Sequence, residues 1–335
     1  MQRLRFISWL LVTVLLSPNI TSFAADKKEK KSKKEDVEAI GSRKVARRSI
    51  ISLEKEIAIG KQIATEIDRS AKILTDSVVS EYVNRVAQNI ARNSDLTIPL
   101  TVKVIDSPEI NAFALPGGFL YVNTGLLLAA DEEAQIAGVI AHEVAHAAAR
   151  HWASQMTKAQ IASIAQIPIA ILTGGLSYPV WAAVWQLYGV AVPLTFLKFS
   201  RGDEAEADML GIQYLYKAGY DPEAYVTLFA KVIEQERRTP GSVPKIFMEH
   251  PPTAERILKA EQIIKELLPK KEQNLVSTSE FDDVKSRLQI VMSRLKSKEK
   301  EGKPTLRKRE ETGQTSEEKS KEQEEEKPPV LRRRD

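Results

Sequence analysis

Residues 49–296 predict a mostly helical α+β domain with a small antiparallel sheet, and three observations carry that prediction. Apolar residues recur at i, i+3, i+4 and i+7 over several long stretches. Two short segments beside turn residues instead show the pattern of strands. The 335-residue chain, 43% apolar and 28% charged, can bury a substantial core and has an ordinary globular composition.

In chain order, Leu53 to Ile67 and Val78 to Ile90 have helical spacing. Leu100 to Ile105 alternates like a half-buried strand. Pro116-Gly117-Gly118 marks a turn, and Phe119 to Asn123 follows as a strand. Asp131 to about Met156 reads as one long helix, its acidic start suited to the positive end of the helix dipole. Asp203 to Ala218, ended by Gly219, is another helix. Pro222 to Glu234, Thr253 to Leu267 and Ser279 to Leu295 complete the set.

The flanks differ in composition. Arg3 and Arg5, the apolar run Phe6 to Leu16 and the small residues Ser22 and Ala24 make residues 1–24 a secretory signal peptide. The apolar run is shorter than the roughly 20 residues a membrane span needs. An uncleaved anchor and a mitochondrial presequence are the alternatives. Export implies a periplasmic or envelope-associated location, and the anchor would make the protein membrane-bound. Residues 25–48 form a charged linker, read as a solvated spacer, and residues 297–335 a disordered charged tail. Residues 159–197 carry no charge. Pro168, Gly174, Gly175, Pro179 and Pro193 divide them into pieces short of a span. They suit an apolar hairpin insert that packs on the domain or rests on a membrane surface.

Composition also excludes functions. The absence of cysteine removes disulfide scaffolds, thiol nucleophiles and thiolate metal sites. A net charge of +4 gives no case for nucleic-acid binding. Only four histidines are present, so their positions are informative.

Two of them stand in His142-Glu143-Val144-Ala145-His146. At i and i+4 of a helix, two imidazoles share a face and can grip one ion. Zinc suits nitrogen and oxygen donors, a catalytic zinc takes three protein ligands and a water, and Glu143 is placed to take a proton from that water. His151 lies nine residues past His142, about 900° around a continuous helix, which puts it on the opposite face as a polar packing residue. Gly at 149 and His at 152 would extend the motif to a third histidine ligand, but Ala149 and Trp152 stand there. Glu204 and Asp208 share a helical face, so one carboxylate can bind the ion while the other accepts a ligand histidine's free N–H. Glu206 points away from that pair.

The chain resembles the zinc metallopeptidase family that includes HtpX, the CAAX prenyl endopeptidase and the mitochondrial OMA protease. The segments that carry the resemblance are Asn111-Ala-Phe-Ala-Leu-Pro-Gly-Gly118 with Asn123-Thr-Gly125, then His142-Glu-Val-Ala-His146, then Ser200-Arg201 leading to Glu204 and Ala207-Asp208, and His250-Pro251-Pro252-Thr253. They occur in the family's order. The resemblance implies a zincin-like domain with its sheet beside the histidine helix. It implies one zinc ion per chain, held by His142, His146 and Glu204, with Asp208 behind a ligand and Glu143 as catalytic base. His250 would face the zinc, either steadying an oxyanion or binding the ion in a silenced resting state. An exposed edge of the strand reached from Gly118 through Phe119, Leu120 and Tyr121 would bind extended polypeptide substrates by backbone hydrogen bonds. The expected activity is endopeptidase cleavage of misfolded or misassembled envelope proteins. The rivals are a chaperone or assembly factor on the same fold with little or gated proteolysis, and an integral membrane protease.

Overall fold

The computed structural model describes residues 34–172, 199–238, 248–251 and 253–301. The signal segment 1–24, the start of the linker, residues 173–197 of the apolar insert and the tail from 302 lie outside the described residues. The chain divides into two compact units, Met1–Gln289 and Ile290–Asp335, and the described part of the second is the end of one helix.

Polar side chains cap the starts of several helices, though not of those beginning at Thr124 and Glu133. The Ser52 side chain accepts from the Lys55 N–H at the start of α1 (Leu53–Ser70), and Asp76 accepts from the Val79 N–H at the start of α2 (Ser77–Arg92). Val79, Val83, Val86 and Ile90 give α2 one buried stripe. Strands β1 (Thr101–Ile105), β2 (Ala112–Leu115) and β3 (Phe119–Asn123) follow, then the short α3 (Thr124–Ala129). Helix α4 (Glu133–Ala148) is the central element, with every residue but Ala147 buried. It packs against α2, β2, α6 (Arg201–Lys217) and α7 (Glu223–Arg238). Between α4 and α6 runs α5 (His151–Leu172), and α8 (Ala254–Leu267) and α9 (Ser279–Glu301) close the order. Ser200 and Asp203 form a reciprocal capping box on α6, and Thr253 caps α8.

The sheet has the order β1-β3-β2 and is mixed rather than wholly antiparallel. The turn at Gly117 and Gly118, with φ of +78° and +84°, folds β2 back on β3 as an antiparallel hairpin. The chain reverses twice between β1 and β3, so those two strands run parallel, Thr101 opposite Phe119 and Ile105 opposite Asn123. β3 is therefore central, and the stretch assigned to peptide binding has no free edge. Gly118 is a turn residue whose carbonyl accepts from the Thr101 N–H, and Leu120 and Tyr121 are buried. The outer strands are β1 and β2, and residues 72–74 pair with the end of β1 at Val104 to Asp106.

Two further expectations change. The single helix over 131–156 is two, broken at Arg150, a non-glycine residue at φ +55°. Tertiary partners hold that conformation: Arg150 donates to Glu56 at 2.7 Å and to the Ile51 carbonyl at 2.8 Å. The linker is no solvated spacer from residue 34 onward. Val37 and Val45 are buried, Arg43 pairs with buried Asp95 at 2.7 Å, and the Arg47 N–H donates to the Ala149 carbonyl. Helix α5 continues through Pro168, and α9 runs to Glu301, past the expected start of the tail. Among the described residues no helix is long and apolar enough to cross a membrane.

Candidate metal centre

Close packing of α4 on α6 builds the centre. A Cβ on Gly211 of α6 would lie 3.1 Å from the backbone of His142, so glycine lets the two helices approach. That approach sets Glu204 and Asp208 against His142 and His146. The turn before α8 adds His250. One donor atom from each of His142, His146, Glu204 and His250 lies within 4.8 Å of the others, and all four residues are buried.

The distances are those of groups that converge on one point. His142 Nε2 is 3.0 Å from His146 Nε2 and 3.3 Å from His250 Nδ1. Glu204 Oε1 is 2.9 Å from His250 Nδ1 and 3.6 Å from His146 Nε2. Glu204 Oε2 lies 3.1 Å from Arg256 Nη1, whose hydrogen bond goes instead to the Pro251 carbonyl, so this buried oxygen has no hydrogen bond of its own. Ring nitrogens facing each other at such distances need a shared proton or a cation between them. Burial opposes charge on His142, yet Asp208 and Glu204 outweigh it and push the imidazole up to about 9. Burial and the charges of His142 and His250 hold His146 well below the usual histidine range. Glu204 stays well below the carboxylate range despite burial, through His142 and His250. Three nitrogens and one oxygen in a buried, electron-rich cluster fit the preferences of zinc.

Surrounding groups hold the donors. His142 Nδ1 faces Asp208 Oδ1 at 3.2 Å and the Tyr225 hydroxyl at 3.0 Å, and that hydroxyl donates to Asp208 at 2.5 Å. Arg256 donates to both Asp208 oxygens, at 2.8 and 2.6 Å. Phe199 stacks on His146 with ring centroids 4.0 Å apart. Glu143 is buried with Oε2 accepting from the Ala114 N–H of β2 at 2.8 Å. Its Oε1 has no hydrogen bond and lies 3.5 Å from His250 Nε2.

The structure thus brings together His142, Glu143, His146, Glu204, Asp208 and His250, and leaves Gly118, Phe119, Leu120 and Tyr121 in the central strand and its turn. His151 is outside the donor cluster but not on the opposite face. The break at Arg150 returns it to His146, with Nδ1 atoms 2.9 Å apart. Sequence reasoning missed Tyr225 and Arg256. Tyr225 looks like one more aromatic of an amphipathic helix, whereas Arg256 stands three residues after its helix cap, where an arginine facing inward is a detectable anomaly.

A buried cluster of three histidines and a glutamate, with a second glutamate beside it at the edge of a sheet, defines a metallopeptidase-type centre. The chain belongs to peptidase family M48, whose model matches residues 77–264. Family M48 metallopeptidases are zinc-dependent. Among similar proteins, the beta-barrel assembly-enhancing protease of Escherichia coli (strain K12) is 28% identical over 231 residues, 66% of this chain and 46% of that protein. The protein of the same name from Yersinia pestis is 26% identical over 225 residues, 65% of this chain and 46% of its own length. The mitochondrial metalloendopeptidase OMA1 of Schizosaccharomyces pombe is 33% identical over 195 residues, 57% of this chain and 55% of that protein. The chain spans about half the length of these relatives.

Proposed function

We propose that the protein is a zinc-dependent endopeptidase acting on extended or misfolded polypeptides of the cell envelope. The observation that carries the catalytic reading is Glu143. A purely structural metal site has no need of a fifth buried residue, a second glutamate with an unbonded oxygen, beside four donors. When bound, zinc supplies a Lewis acid that polarises the scissile carbonyl and makes a water more acidic. Glu143 Oε1 takes a proton from the attacking water and passes it to the leaving amine. The Ala114 N–H on Oε2 fixes the carboxylate for that task. Apart from the Ala114 N–H that Glu143 holds, the outer edge of β2 would offer backbone groups to an extended substrate, which suits loose sequence preference. The secretory signal read at residues 1–24 and the names of the beta-barrel assembly-enhancing relatives support an exported, periplasmic or envelope-associated location.

Cleavage of casein by the zinc-loaded chain tests this. Glu143→Gln should reduce turnover by at least about 10²-fold with zinc still bound, and a chelator should abolish it. Cleavage that survives Glu143→Gln would overturn the catalytic assignment.

The position of His250 favours a second reading, gated proteolysis, within which a client-holding role is the limit of complete silencing. As a fourth protein donor His250 would leave a bound zinc no open position for substrate. His250→Ala should then raise casein cleavage at unchanged zinc content. Lost cleavage would assign His250 to stabilising the oxyanion instead.

A further inference from the structure

His146 offers Nε2 to the donor cluster, and its other nitrogen meets His151. The two Nδ1 atoms are 2.9 Å apart, and His151 is fully buried. On its far side His151 Nε2 lies 3.2 Å from Glu206 Oε2. Glu206 in turn accepts from Arg47 Nε at 2.8 Å and pairs with Lys34, and Arg47 also pairs with Asp203 in the first turn of α6. The catalytic steps above use none of these residues.

Proton direction along this chain is determined by what each end requires. Two ring nitrogens at 2.9 Å share one hydrogen, so one donates and the other accepts. A histidine that binds an ion through Nε2 carries its proton on Nδ1, so His146 donates and His151 accepts. His151 then has its own proton on Nε2, where the Glu206 carboxylate accepts it. The opposite direction would aim an N–H of His146 at the metal position and set a bare His151 lone pair against a carboxylate oxygen. Glu206 is held at the end of the chain by Arg47 Nε at 2.8 Å and by Lys34, two donors that leave it only the accepting role toward His151.

We infer that His151, Glu206 and Arg47 are positioning residues that fix His146 as the Nδ1–H tautomer and orient its ring for zinc, which makes the segment from residue 34 to 48 part of the metal site's outer frame. The inference rests on the zinc reading of the cluster. Arg150 matters to it, because its left-handed backbone, between the end of α4 at Ala148 and the start of α5 at His151, turns that ring toward His146.

The test uses the full chain and two readouts. Long-range ¹H–¹⁵N correlation on the zinc-free protein reports the tautomer of His146, and chelator competition reports zinc affinity. In the wild type the Nδ1–H form should dominate. His151→Leu should release that preference and weaken zinc binding about 10- to 100-fold, the usual effect of losing such a partner. His151→Gln, which can accept from His146 and donate to Glu206, should recover most of the loss. Glu206→Gln and Arg47→Met, at a more exposed rim, should give smaller losses in the same direction and serve if His151→Leu does not fold. An unmoved tautomer and affinity in folded His151→Leu, or in both rim variants, would overturn the inference. A wild type that binds no zinc would overturn the metal reading and this one with it. A zinc-binding wild type with unmoved variants would overturn this one alone.

Discussion

Arg256 donates two hydrogen bonds to Asp208 and lies 3.1 Å from Glu204, so its loss leaves two buried carboxylates short of positive charge. Removing one partner of a buried pair costs about 3–5 kcal/mol, because the remaining charge stays out of water. Arg256→Met should therefore destabilise the metal-free protein by about 3 kcal/mol in denaturant unfolding, His142 still sharing Asp208. The double variant Arg256→Met, Asp208→Asn should regain part of that loss, since one stranded charge goes with its partner. A loss equal in both would place the effect in packing over Phe229, on whose ring the guanidinium sits. Legibility at this scale followed chemistry and spacing. The pairs at i and i+4 exposed His142 with His146 and Glu204 with Asp208 as sets. Tyr225 carried no such mark, because its hydroxyl meets Asp208 and His142 only once α4, α6 and α7 are packed together.

Two helices must approach within backbone contact for those sets to meet, and Gly211 permits it. Gly211→Ala puts a methyl 3.1 Å from the His142 backbone, and α6 must shift by tenths of an ångström or strain the ring that α4 presents. Overpacking of this kind costs about 1–3 kcal/mol, and here the shift also moves Glu204 away from the histidines. The variant should show a lower melting temperature and weaker zinc binding in chelator competition, and a loss of stability alone would separate packing from site geometry. Most elements were readable because their signals are local: apolar periodicity, the acidic start of α4, and glycines at the β2–β3 turn. Strand order was not local. Nothing in Phe119 to Asn123 says that β1 will pair with it on one side and β2 on the other. The break at Arg150 was equally hidden, since Glu56 and the Ile51 carbonyl impose the backbone angle and no glycine marks it.

Across the whole molecule, charged residues far apart in sequence close the fold around α4. Arg43 with Asp95, and Arg47 with Glu206 and Asp203, convert a segment with the composition of a spacer into a packed strap. Charge counts along the chain could not reveal this, because a solvated lysine run and an arginine strap carry the same charge. Asp76 and Arg287 do the same between the start of α2 and α9, with Arg287 donating to both carboxylate oxygens at 2.9 and 3.0 Å. The hydrogen bond from Arg287, joined by the α2 N–H groups that Asp76 caps, holds the Asp76 carboxyl below its ordinary value of 3.8. A carboxyl lowered by folding contributes stability that is complete above its unfolded value and is lost as pH falls through the folded one. The unfolding midpoint of the wild type should thus exceed that of Asp76→Asn at pH 6, and the gap should narrow as pH falls through 3.8 and below. Arg287 is half exposed, so added salt should shrink the part of the gap due to the ion pair and leave the part due to the cap. A gap constant from pH 6 to pH 3 would mean that the cap, which an asparagine can also supply, and the ion pair contribute no charge-dependent stability.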